Sequence, residues 1–167
     1  MRKLTNLVLV VVAAMLATTL VAQSAAANTP PKKPVKIAFV GSYSGQATTL
    51  VSGTTVTITA KGNGKGTLVG SGAISATGTG DSSQQPCVPF GGTGTITGAG
   101  GTIAFKANSG ASGCGDEGGH NFTVKAYLAI TKATGKLAKA KGTLRAVGTY
   151  NRDDGSFQVK LTATLTK

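Results

Sequence analysis

Residues 114–120 hold the densest set of reactive groups in this chain. Cys114, Asp116, Glu117 and His120 bring a thiol, two carboxylates and the single imidazole together, and the second thiol, Cys87, lies upstream. Thiolate, imidazole and carboxylate are all zinc ligands, and this spacing would allow a metal site. The same two thiols can instead pair as a disulfide and leave His120 on the surface. Their neighbourhoods, QPCVP at 85–89 and SGCGD at 112–116, read as Pro- and Gly-rich loops. Such loops hold metal ligands loosely, without a shell to orient them. The disulfide is the favoured reading. It would tie two loops at one end of a domain, and neither a metal nor another cofactor is expected.

The other chemistries are weaker. The five acids, Asp81, Asp116, Glu117, Asp153 and Asp154, all fall in segments that read as loops. A general acid or base needs a shaped, partly dry pocket in which its pKa can be tuned, and solvated turn carboxylates lack one. No catalytic residue is therefore assigned. The NRDDG run at 151–155 carries oxygen ligands, but no Glu follows at the distance a calcium loop requires, so it reads as a hairpin turn. The GGTG run at 91–94 has neither the Lys-Ser/Thr pair nor the following helix of a phosphate loop. One His and no G-x-S-x-G context leave a hydrolase triad unsupported.

Compartment decides between metal and disulfide. Arg2 and Lys3 precede an uncharged, mostly apolar run from Leu7 to Leu20, and small residues follow as far as Ala27. This order predicts a secretory signal peptide over 1–27, cleaved near Ala27. The run is too short for a stable membrane span. The expected location is extracellular or at the cell envelope, where thiols oxidise. Residues 28–36 hold three prolines and three lysines and read as an extended tether, which leaves 37–167 as one domain.

Without Arg2 and Lys3 the formal charge of +12 falls to +10. A charge of that size attracts anionic envelope polymers, anionic lipid or nucleic acid. It also simply solvates a β surface and blunts strand edges, which is the preferred reading. The densest basic run, Lys132, Lys136, Lys139, Lys141 and Arg145, is the candidate polyanion patch. With three Tyr, five Phe and no Trp, the chain offers few stacking platforms, and no specific nucleic-acid partner is expected.

The elements that must position these groups are strands. In 121–131, Phe122, Val124, Ala126, Leu128 and Ile130 alternate with polar residues, and in 156–166 so do Phe157, Val159, Leu161, Ala163 and Leu165. A period of two means one buried and one wet face, hence an antiparallel sheet. Further strands are expected over 36–44, 54–60, 65–78, 92–97, 101–107 and 142–150, with turns at 98–101 and 151–155. Eight such strands are best solved as a closed barrel, which removes every edge; a β-sandwich is the alternative. Besides Phe105, Phe122, Val124, Leu128, Tyr150, Phe157, Val159 and Leu161, the inward face would carry Val56, Ile58, Leu68, Ile74, Ile96, Ile103 and Leu144. The first eight are the candidate ligand-cavity residues. An eight-stranded barrel is either filled by its side chains or holds one small ligand, and filling is the favoured expectation.

The order of four segments carries a family resemblance. GKGTLVG at 64–70, GTGTITGAGGTIAF at 92–105, ITKATGKLAKAKGTL at 130–144 and GSFQVKLTATL at 155–165 follow one another as in secreted bacterial members of the allene oxide cyclase and dirigent-like barrels. The segment from Thr134 to Gly142 resembles that family's turn between two barrel strands. The resemblance covers about residues 37–167 and implies an eight-stranded barrel. Plant members include a cyclase of an unstable oxylipin epoxide and proteins that steer phenoxy-radical coupling. The family's functional acids lie inside the barrel, and here no acid falls in an expected strand, so none is carried over. The leading expectation is a secreted, non-enzymatic barrel that binds a small apolar ligand or serves as an envelope-associated module. An isomerase or cyclase of the allene oxide cyclase type and a polyanion-binding surface protein are the alternatives.

Overall fold

A computed structural model describes residues 33–167. The expected signal peptide and the expected tether as far as residue 32 lie outside the described residues. The tether ends sooner than expected, because Val35 already exchanges backbone hydrogen bonds with Lys167 and β1 starts at Lys36. The strands are β1 (Lys36–Ser52), β2 (Thr55–Gly66), β3 (Gly70–Asp81), β4 (Cys87–Gly98), β5 (Gly101–Ala107), β6 (Ser112–Gly115), β7 (Asn121–Ala133), β8 (Thr143–Asn151) and β9 (Ser156–Thr166). Most are longer than their apolar alternation indicates, because Thr- and Gly-rich stretches extend them.

Every pairing is antiparallel, and the sheet closes. Strands β3, β2, β1, β9, β8, β7, β5 and β4 are neighbours in that order, and β3 pairs with β4 to complete the ring. The fold is an eight-stranded barrel, and closure rules out the sandwich. The short β6 pairs with both β4 and β7 and continues in the place of β5 after residues 108–111. The backbones of Asn108 and Ala111 bond to Tyr127 and Phe90, so the interrupted stave leaves little of the ladder unmade. Opposite it, β7 shifts register against β5 between Ala104 and Phe105, a bulge that bends the strand.

One end of the barrel is plugged. The expected strand 65–78 is broken by a turn over 67–69, where Leu68 takes a φ of 70°. Leu68 is thus not an inward strand residue but a partly buried turn residue, and its neighbour Val69 is fully buried. Leu137, in a 3-10 turn at Gly135–Leu137, is also fully buried. These two side chains join Phe39, Ile96, Ile103, Leu144 and Leu165 in a core that excludes water. Large aromatics fit so small a barrel because they lie across glycines of the next strand. Tyr43 pairs with Gly64, and a Cβ on Gly64 would stand 2.7 Å from the Tyr43 ring. Likewise, a Cβ on Gly94 would stand 2.5 Å from the ring of its partner, Phe105. Aromatic cover of in-strand glycine is a recognised way to curve and pin a sheet.

Candidate functional site

At the other end the inward side chains do not meet. The alternation that buries Phe39 and Leu165 completely leaves Val56, Ile58, Phe122, Val124, Phe157 and Val159 only half-buried. The reason is volume. Facing positions on β2, β3, β4 and β8 are Ala60, Ala76, Gly78, Gly80, Gly92, Ala146 and Gly148, which are too small to fill the middle. A cavity of about 450 Å³ results, and its walls are mostly apolar. The expectation of a filled interior is corrected on this point: the barrel is filled at one end and hollow at the other. The sequence carried the signal in these small inward residues.

All eight candidate cavity residues, Phe105, Phe122, Val124, Leu128, Tyr150, Phe157, Val159 and Leu161, line this space. Their depth differs. Phe105, Leu128 and Leu161 are buried at the floor, while Phe122, Val124, Phe157 and Val159 face the void. Tyr150 is buried near the mouth, its ring 6.1 Å from Phe122 and its hydroxyl 2.7 Å from Thr49 Oγ1. That hydroxyl pair joins β1 to β8 across β9, where β1 runs on beyond its last β9 partner at Gln46. Thr49 turns its hydroxyl inward, Thr79, Thr93 and Gln158 border the space from the outward phase of their strands, and Arg152 is the one charged residue along it.

The reactive groups stand around this mouth and not in it. Asp81 ends β3, Asp116, Glu117 and His120 lie between β6 and β7, and Asp153 and Asp154 lie between β8 and β9. Asp81 is therefore a strand terminus, not a loop residue. None of the five acids, nor His120, lines the cavity. His120 Nδ1 meets Asp153 Oδ2 at 2.7 Å, joining the two rim loops, with both side chains 58 % exposed. Asp116 accepts hydrogen bonds from the backbone N–H groups of His120 and Asn121 and from the Asn121 amide. Asn151 Oδ1 accepts from Asp153 N and Asp154 N, the side-chain-capped turn expected of the NRDDG run. Among the described residues no three of Cys, His, Asp or Glu are placed to share a metal ion.

The rim bonds shift the titrations. The hydrogen bond to Asp153 holds the His120 pKa above the ordinary imidazole value. Bonding to Asn121 holds Asp116 below the carboxylate range. A raised histidine pKa favours the folded state fully below the ordinary value near 6.5, and that contribution disappears as pH climbs through the raised one. Histidine ring resonances followed by NMR against pH are expected to titrate above 6.5, and Asp153→Asn is expected to bring the midpoint back down. An unchanged midpoint in the variant would remove the inter-loop bond from the account.

The two thiols are bonded, Cys87 to Cys114. They lie in strands, not in the loops expected for them: Cys87 opens β4, Cys114 belongs to β6, and the two are direct cross-strand partners with Cα atoms 3.9 Å apart. Four residues of Ser, Gly and Cys have no β-forming pattern, so β6 was invisible to periodicity. The disulfide lies on the outer wall beside the mouth, since the inward neighbours Val88 and Gly113 line the cavity. The basic run Lys132, Lys136, Lys139, Lys141 and Arg145 is exposed and lies toward the plugged end, apart from the cavity. Comparison with protein-family models, with curated proteins and with solved structures finds no match to this chain.

Proposed function

We propose that the protein is an exported binding barrel that takes one small apolar molecule into its open end. The observation that carries this reading is the hollow half of the barrel, about 450 Å³ and walled by Val, Ile, Phe and Ala side chains. Such a volume lies within the usual range of ligand pockets, which are mostly apolar with a few polar groups that orient the guest. Here the Thr49–Tyr150 hydroxyl pair and Arg152 are the polar groups at hand. Half-buried apolar walls are costly to leave wet, at roughly 25 cal/mol per Å² of apolar surface, and a guest removes that cost. The carboxylates and His120 at the rim are solvated and away from the cavity wall, so binding is a better fit to the site than proton-transfer chemistry. A neutral, environment-sensitive apolar dye is expected to bind with one-site saturation and to brighten and shift to the blue. Its affinity should hardly change with salt, because the contacts are apolar. A linear, unsaturable response would overturn the proposal.

A further inference from the structure

The end opposite the cavity carries a second feature, independent of the guest. We propose that the plugged end of the barrel docks on an anionic lipid bilayer, so that the mouth faces away from the membrane. Lys36, at the start of β1, pairs with Thr166, and Lys141 bridges to the same Thr166. The Lys167 ammonium donates to the carbonyl of Lys136 at 3.4 Å. Lys132, near the end of β7, and Lys139, on the β7–β8 connection, flank them, and all six side chains are exposed. Among the described residues no Asp or Glu stands at this end, because all five are at the mouth. The charge is thus split along the barrel axis.

Clustered ammonium groups repel one another, and the chain spends none of its acids on relieving them. An anionic partner would do so. Lysines act as mobile point charges, without the planar fork that recognises a single phosphate. The cluster also sits on a plugged end beside buried Leu137 and Leu165. Charges so arranged suit an extended layer of phosphate headgroups better than an enclosed ligand. In the sequence, Lys32 and Lys33 come directly before this end of the chain and add two more basic residues. The acids at the mouth are repelled by the same surface, which sets the orientation.

The test is co-sedimentation of the chain from Asn28, the form left by the expected cleavage near Ala27, with vesicles of phosphatidylcholine alone or mixed with phosphatidylglycerol. Binding is expected only with the anionic lipid and should fall steeply as salt shortens the screening length. Each lysine near such a surface is worth about fivefold in partition, so Lys136→Gln/Lys139→Gln/Lys141→Gln should weaken binding roughly 100-fold. Lys61→Gln/Lys106→Gln/Lys125→Gln removes the same charge from the outer wall and should cost far less. Circular dichroism melts check that both variants remain folded. Equal losses in the two variants would overturn the oriented dock. Equal binding to neutral vesicles would assign attachment to apolar contacts, and binding to soluble polyphosphate without binding to vesicles would assign the lysines to a free polymer. Either result contradicts the proposal.

Discussion

Removing the Cys87–Cys114 bond is expected to lower the unfolding free energy by about 2–5 kcal/mol, the usual range for a native disulfide in a small secreted domain. With a sequence separation of 27 residues, loop-closure entropy alone gives about 3.6 kcal/mol. The bond also has a local duty. β6 is four residues long and holds its place by pairing with β4 on one side and β7 on the other. Without the covalent link, the broken β5–β6 stave is the weakest wall of the mouth. Denaturant melts of Cys87→Ala/Cys114→Ala should show the drop in stability. Hydrogen exchange should show the amides of 112–115 losing protection before those of β8 and β9. An unchanged midpoint on reduction would mean that the bond constrains nothing the barrel does not already hold.

The second large effect concerns empty space. Ala60 and Ala76 are cross-strand partners on β2 and β3, and both line the cavity. In a packed core, inserting larger side chains costs about 1–3 kcal/mol. In a hollow one, filling is expected to stabilise by about 0.5–2 kcal/mol, since cavity filling is among the common stabilising changes. Ala60→Leu/Ala76→Leu should therefore raise the melting temperature while lowering dye affinity at least tenfold, or roughly 1.4 kcal/mol. A destabilised variant that still binds the dye normally would place the guest elsewhere.

The barrel was legible in the sequence because its late strands alternate strictly. Phe122 to Ile130 and Phe157 to Leu165 report a one-sided sheet, and eight such segments in a short chain have few other solutions. Two local features were not legible. The turn at 67–69 puts a leucine at positive φ, where propensity argues against it, and so the plug residue Val69 is displaced from Leu68 by one position. The segment SGCG becomes a strand only because β4 and β7 stand on either side of it, a tertiary cause with no local mark. The cavity lies between these cases. The residues that wall it follow from the alternation. Its emptiness depends on summing small side chains across β2, β3, β4 and β8, which requires knowing that those strands face one another. The split of charge between the two ends was hidden for the same reason, since Lys36, Lys141 and Lys167 meet only through the β1–β9 pairing and the bridge to Thr166.

The hollow half and the plugged half share one inward face, and methyl NMR distinguishes them in a single experiment. With a neutral apolar guest at saturation, the methyl groups of Ile58, Val124 and Val159, which face the void, should shift strongly. Those of Val69, Leu137 and Leu165, fully buried in the plug, should stay where they are. Shifts confined to surface methyls such as Val40 and Leu50, with Val124 and Val159 unmoved, would contradict a guest inside the barrel.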